Sequence, residues 1–127
     1  DTINLPARPR LIDLGSGNGR AVLAMATMRP FALCEGVEIS PALHSSALQH
    51  QSLFESKVRP RLPAERAKVV VRLRCADMLQ ANLTRADVVF VLSTAFSAGT
   101  MAKLFQHAEK SMRRGAVLIV ADQPTLS

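Results

Sequence analysis

The stretch Asp13-Leu14-Gly15-Ser16-Gly17-Asn18-Gly19 decides how this chain folds. Residues 11–14 form a short apolar run typical of a buried strand, and residues 21–28 have a helical pattern that Pro30 must end. Gly15 and Gly17 let the backbone turn sharply and approach a ligand without an intervening Cβ, and the next helix offers unpaired N–H groups. The stretch predicts a strand-turn-helix unit that either holds a nucleotide-like cofactor or is a simple turn.

The spacing of the glycines narrows the class of cofactor. The dinucleotide fingerprint is G-x-G-x-x-G, whereas residues 15–19 have the pattern G-x-G-x-G. The third glycine of the fingerprint is missing where a pyrophosphate-binding helix needs it. The sequence therefore favours a cofactor other than a nicotinamide dinucleotide.

Two acidic residues extend this candidate site. Glu38 follows at the predicted carboxyl end of the second strand, where a carboxylate can accept both hydroxyl hydrogens of a ribose. Asp77 comes just after the third strand, so its carboxylate can accept from an adenine amine while the Met78 thioether packs on the ring. Each acid also has a structural alternative, because Glu38 stands at a helix start and Asp77 can cap a short helix. Their order after the glycine turn favours the cofactor interpretation.

The rest of the chain alternates strand and helix patterns. Strands are predicted at residues 11–14, 32–39, 69–75, 88–92 and 116–122. Helices are predicted at residues 21–28, 41–57, 78–83 and 99–112, with a breaker-rich loop at residues 59–63. This alternation predicts an α/β fold, a Rossmann-like doubly wound and mostly parallel sheet.

Composition is that of one globular domain spanning residues 1–127, with 48% hydrophobic and 20% charged residues. No apolar run approaches the roughly 20 residues needed to cross a bilayer, and no signal-peptide pattern is present, so we expect no membrane partner. Two cysteines cannot form a disulfide framework, and we expect Cys34 and Cys75 to be reduced core residues of an intracellular protein. The three histidines lack metal-ligand spacing, so we expect no metal site.

Positive charge is concentrated in residues 57–85. This stretch carries eight Lys and Arg against Glu65 and Asp77, a local net charge of +6, which equals the formal charge of the whole chain. Such a stretch either contacts a polyanion, including DNA phosphates, or is a solvated face. The chain has no Trp or Tyr for base stacking.

With these features in this order, the chain resembles the class I, Rossmann-like methyltransferases that use S-adenosyl-L-methionine. Within that class it is most similar to the disruptor-of-telomeric-silencing family of histone-lysine methyltransferases, over residues 9–126. The segments that carry the family resemblance, besides the glycine turn, are Gly36-Val37-Glu38, Asp77-Met78-Leu79, residues 88–91, Ala95-Phe96 and Pro124.

The resemblance implies an S-adenosyl-L-methionine site and a protein lysine as methyl acceptor, with a histone or nucleosome as partner and a nuclear location. It implies that the cofactor is bound by Asp13, Gly15, Ser16, Gly17, Glu38 and Asp77. We expect Met78, in place of the family's adenine-stacking aromatic, and Ser93 to contact it too. Arg20 either pairs with the cofactor carboxylate or faces solvent. The expected catalytic residues are Ser93, which would position the reacting groups, and Phe96, which would wall the acceptor channel.

The chain also departs from the family pattern. Ser93 and Thr94 follow Leu92 where the family usually has paired asparagines, and Arg20 follows the glycines where a glutamine is frequent. Members of the class ordinarily continue into a final antiparallel hairpin, and the family also has an N-terminal closing segment. We therefore expect residues 1–127 to be a partial domain, truncated after its fifth strand. Two alternatives remain: a cytoplasmic methyltransferase of RNA or a small amine, and a cofactor-binding module without turnover.

Overall fold

The computed structural model describes residues 4–122, so Pro124 lies outside the described residues. The strands are β1 Arg10–Leu14, β2 Leu33–Glu38, β3 Val70–Cys75, β4 Val88–Leu92 and β5 Val117–Ala121. The helices are α1 Arg20–Met28, α2 Pro41–Leu53, α3 Ala64–Ala67 and α4 Ala98–Ser111. One π-helical turn, Phe54–Val58, extends α2, and 3-10 turns occupy Arg59–Arg61, Met78–Gln80 and Ser93–Ala95.

All five strands are parallel, in the order β3-β2-β1-β4-β5. After β1, the chain adds β2 and β3 on one side of it. The chain then crosses back and adds β4 and β5 on the other side. A ligand crevice forms at such a reversal, outside the carboxyl ends of the strands. The predicted Rossmann-like doubly wound sheet is confirmed, and its switch point lies between β1 and β4.

Helices cover the sheet on both faces because apolar residues alternate along the central strands. On one face, α4 packs against β1, β2 and β4 through a core that includes Ile12, Leu14, Val37, Val89, Val91, Met101 and Leu104. On the other face, α1 and the end of α2 pack through Leu11, Val22, Leu23, Ala26, Cys34, Phe54 and Val88.

Two local predictions were wrong in detail. The loop predicted at residues 59–63 contains a 3-10 turn and leads into α3, with the guanidinium of Arg59 bonded to Glu55 and to the carbonyls of Ala67 and Val69. The helix predicted at residues 78–83 is a single 3-10 turn, because the backbone becomes extended at Ala81. The connection from β3 to β4 therefore carries no α-helix.

The cysteine prediction is half wrong. Cys34 is fully buried in β2, but Cys75 is exposed. Cys75 is the last residue of β3, which lies at the edge of the sheet and has no strand on its outer side to cover it. Among the helices of residues 4–122, none has the length and apolar character to cross a membrane.

Candidate cofactor-binding site

The glycine turn is fixed to the carboxyl end of β2. The N–H groups of Gly15 and Ser16 both donate to the carbonyl oxygen of Val37, at 2.8 and 3.0 Å. Gly15 and Gly17 have φ angles of 76° and 58°, in the left-handed region that side chains disfavour. A Cβ at Gly17 would meet no atom within 4 Å, so its backbone is open to a ligand. Ser16 packs its side chain against Gly36.

Glu38 joins the glycine turn to the start of α2. Its Oε1 accepts a hydrogen bond from the N–H of Gly17 at 2.8 Å, and its Oε2 accepts one from the N–H of Ser40 at 2.9 Å. A carboxylate has about four acceptor sites, so one remains on each oxygen. Glu38 therefore has a structural role at the start of α2, as its position in the sequence also allowed. It still offers two free acceptor sites, which is the number that a pair of ribose hydroxyls requires.

Asp13 lies beneath this turn, at 3% exposure. Burial, and to a lesser extent the nearby charge of Glu38, raise the pKa of Asp13 to about 7. The Asp13 side chain is therefore poised to change protonation state near neutral pH.

Asp77 and Met78 enter the same site from the carboxyl end of β3. The Oδ1 of Asp77 accepts a hydrogen bond from the N–H of Leu79 at 2.9 Å. Asp77 therefore caps the 3-10 turn that follows β3, as the sequence also allowed. The other carboxylate oxygen is available to a ligand amine, and Met78 is buried beside it.

A cavity of about 240 Å³ lies at this edge of the sheet. It is lined by Gly15, Val37, Glu38, Ile39, Asp77, Met78, Leu79, Phe96 and Thr100. Five residues predicted from sequence therefore converge on one cavity, although they come from four separate segments of the chain. The set fits an adenosyl cofactor, since it combines paired acceptors with an apolar wall.

Other predicted site residues lie outside the lining of this cavity. Arg20 lines a different groove, between α1 and the end of α2, and its pairing with the cofactor stays a prediction. The hydroxyl of Ser93 is bonded to the end of β5, at the carbonyl of Ala121 and the carboxylate of Asp122. Asp13, Ser16 and Gly17 support the turn from beneath or beside the cavity.

Sequence reasoning missed His50. This α2 residue places its Nδ1 2.8 Å from the carbonyl oxygen of Asn18, in the middle of the glycine turn. The two residues are 32 positions apart, so no local pattern links them. The sequence gives only a weak signal, namely a polar residue within the predicted helix. In residues 4–122 no group of three His, Cys, Asp or Glu side chains is arranged to hold a metal ion.

Many solved structures are similar to this chain, among them the following three. An RNA methyltransferase from Salinibacter ruber with S-adenosyl-L-homocysteine is 26% identical, with a TM-score of 0.64, and the match covers 83% of this chain and 59% of that one. A SAM-dependent methyltransferase from Thiobacillus denitrificans, also with S-adenosyl-L-homocysteine, is 20% identical, with a TM-score of 0.61 and coverage of 93% and 43%. A geranyl diphosphate C-methyltransferase from Streptomyces coelicolor is 17% identical, with a TM-score of 0.66 and coverage of 96% and 43%.

The last two are similar in fold alone, and the chain spans about half the length of these structures. Among curated protein sequences, none matches this chain significantly. The fold and its cavity define a Rossmann-like domain of the S-adenosyl-L-methionine-dependent methyltransferase class. A family model described as histone methylation protein DOT1 matches residues 1–124, and the chain belongs to that family.

Proposed function

We propose that the protein transfers a methyl group from S-adenosyl-L-methionine to a lysine side chain of a nucleosomal histone in the nucleus. The family match over residues 1–124 is the observation that carries this proposal, because it covers nearly the whole chain. The 26% identical RNA methyltransferase supports the cofactor. DNA phosphate contacts through residues 57–85 belong to the same proposal, since a nucleosomal acceptor presents DNA beside the histone.

In this proposal each cavity residue contacts a different part of the cofactor. Glu38 accepts from the two ribose hydroxyls with the acceptor sites left free by Gly17 and Ser40. Asp77 accepts from the adenine amine, and Met78 packs against the ring. The open backbone at Gly17 leaves room for the methionyl part, and Arg20 is proposed to pair with its carboxylate.

When bound, the cofactor supplies an electrophilic methyl group on a positively charged sulfur. The protein's task is then to hold a neutral amine in line with that bond, and positioning of this kind contributes roughly 7–11 kcal/mol to barrier lowering. Phe96 lines the cavity at the end of β4 and is proposed to exclude water from the acceptor amine. Burial there lowers the pKa of a lysine and favours its neutral form. Ser93, three residues earlier, is proposed to position the reacting groups.

The experiment that tests this function measures transfer of tritium from methyl-labelled S-adenosyl-L-methionine. Nucleosomes, free histone octamers, RNA and a polyamine are offered separately, and labelled protein is mapped by mass spectrometry. Label on a histone lysine, strongly reduced in Glu38→Ala and retained in Glu109→Gln on the exposed side of α4, is the expected result. Label on RNA or the polyamine alone would overturn the lysine assignment.

The RNA alternative is kept because the 26% identical structure is an RNA methyltransferase. The non-catalytic alternative predicts that S-adenosyl-L-homocysteine binds in a calorimetric titration while no acceptor is labelled. Label on any acceptor excludes that alternative. Equal or tighter binding of NAD in competition would remove the methyltransferase assignment altogether.

A further inference from the structure

The basic stretch at residues 57–85 divides into two groups with different roles. Arg59 is bonded to Glu55 and to two backbone carbonyls, and its guanidinium lies 5.2 Å from the centre of the Phe54 ring. Arg66 donates to the carbonyl of Thr27 at 2.8 Å, which joins α3 to α1. These two arginines are part of the folded framework, so the basic side chains free to meet a partner lie elsewhere.

Four other arginines converge on one side of the sheet. Arg10 at the start of β1, Arg72 and Arg74 on β3, and Arg85 before β4 line a cleft of about 180 Å³. The cleft lies on the same face of the sheet as α4, over its β2–β3 end, where the connection between β3 and β4 is only a 3-10 turn and coil and adds no further helix. Parallel sheets are normally covered on both faces by apolar contacts, whereas this part presents guanidinium groups.

One carboxylate lies among these arginines. Glu35 of β2 is buried, and its Oε2 lies 3.2 Å from Nη1 of Arg74. Arg72 is its register partner on β3. Four cations and one anion leave the cleft with a net charge of +3, an arrangement in which the cations repel one another unless an anion enters.

We propose that this arginine cleft binds the phosphate backbone of duplex DNA, at a surface separate from the cofactor cavity. Arg72 and Arg74 point to the same side of β3, so their Cα atoms are about 6.6 Å apart. This separation is comparable to that between successive phosphates on one strand. Planar guanidinium groups bind phosphate oxygens in pairs, which favours arginine over lysine at such a surface.

The lining also distinguishes duplex from single-stranded nucleic acid. No aromatic side chain lines the cleft, and the chain has no Trp or Tyr, so bases would find no stacking partner. A duplex presents only phosphates to such a surface. The formal charge of +6 over the whole chain favours a partner of high negative charge density over an acidic peptide.

The test measures binding of the 127-residue chain to a fluorescent DNA duplex by anisotropy over a series of salt concentrations. The variant Arg72→Gln/Arg85→Gln removes two of the three cleft arginines that make no ion pair within residues 4–122. Lys103→Gln/Lys110→Gln removes two exposed charges from α4 and serves as the matched control. The cleft variant should reduce the slope of log affinity against log salt by about 1.8, at about 0.9 for each phosphate contact. The control should leave the slope unchanged.

A third variant, Glu35→Gln, separates the proposal from a folding defect. Removing Glu35, the single carboxylate among the cleft-lining residues, should tighten duplex binding, whereas loss of the cleft geometry should weaken it. Thermal unfolding by circular dichroism identifies folded variants, and folded Glu35→Gln with weaker duplex binding would contradict the proposal.

Other outcomes also overturn it. An equal change of slope in the cleft variant and the α4 control would mean that DNA is attracted by the overall positive charge of the chain and not by a defined site. Tighter binding of single strands than of duplex would point to a different nucleic acid. Polyglutamate binding lost in the cleft variant, with duplex binding unchanged, would identify an acidic protein partner. The arginine cleft rests on the proposed function only through its nucleosomal partner. These measurements use no cofactor, so their failure would remove the DNA contacts from that function and leave the proposed methyl transfer untouched.

Discussion

The ring of Phe96 lies directly against the α-carbon of Gly15. A Cβ at residue 15 would overlap the ring at Cζ, and Cε2 would be only 3.0 Å away. Through this contact the segment after β4 packs on the turn that follows β1, across the switch point of the sheet. The Phe96 ring can line the cavity in this position only because residue 15 has no side chain.

Replacing Gly15 with alanine should be much more harmful than replacing Gly17. Both positions have positive φ, which costs roughly 1–2 kcal/mol for a residue with a Cβ. Only Gly15→Ala adds an overlap with Phe96, which raises the expected loss of unfolding free energy to roughly 2–4 kcal/mol. Urea unfolding of both variants measures the difference. The double variant Gly15→Ala/Phe96→Ala should be less destabilised than the sum of its single changes, and simple additivity would show that the ring is not the obstacle.

Loss of the Glu38 side chain should weaken binding of S-adenosyl-L-homocysteine. Glu38→Ala leaves two ribose hydroxyls and two backbone N–H groups without their acceptor, at a cost of roughly 1–3 kcal/mol in binding. Glu38→Gln keeps one acceptor oxygen and should lie between the alanine variant and the wild type. Isothermal titration provides the measurement. Unchanged affinity in the alanine variant would remove Glu38 from the site.

The stability of the fold should fall as the pH rises from about 4 to 7. Asp13 has a pKa of about 7 in the folded chain against 3.8 for the free side chain, so the folded state holds the proton more tightly. Ionising this buried group therefore destabilises the fold until the pH exceeds the folded-state value. Asp13→Asn removes the effect, and its advantage over the wild type should grow by roughly 1–3 kcal/mol between pH 5 and pH 8.

Chemical denaturation at both values of pH measures this difference. Because the charge of Glu38 also raises the pKa of Asp13, the fall in stability should end at a lower pH, and be smaller in total, in the Glu38→Gln background than in the wild type. Parallel stability curves for Asp13→Asn and the wild type would show that Asp13 stays ionised.

His50 should act as a positioning residue for the glycine turn. His50→Ala removes the contact with the Asn18 carbonyl, and such a hydrogen bond is worth roughly 0.5–1.5 kcal/mol. We expect weaker S-adenosyl-L-homocysteine binding and faster amide hydrogen exchange at residues 15–19. His44→Ala, on the same helix, is the control, and the prediction fails if both variants alter exchange in the turn equally.

The sequence predicted the strand-helix alternation and the position of the cofactor cavity. Apolar runs at β1 and β4 and the proline at the start of α2 are local signals that do not depend on neighbours. Glu38 and Asp77 were predicted because the carboxyl ends of parallel strands share one edge of the sheet. Once the strands are parallel, a residue that directly follows one of them can be placed at that edge without knowing any contact.

Contacts between residues distant in the chain could be read from the fold but not from the sequence. The tertiary structure brought His50 to Asn18, fixed Arg59 to carbonyls at the end of α3 and just after it, and left Cys75 exposed at an edge strand. It also separated the framework arginines from those of the cleft, although both kinds lie in one basic stretch of sequence. The physical reason is that periodicity records whether a side chain faces core or solvent, whereas its partners are set by strand order and by how each connection crosses the sheet.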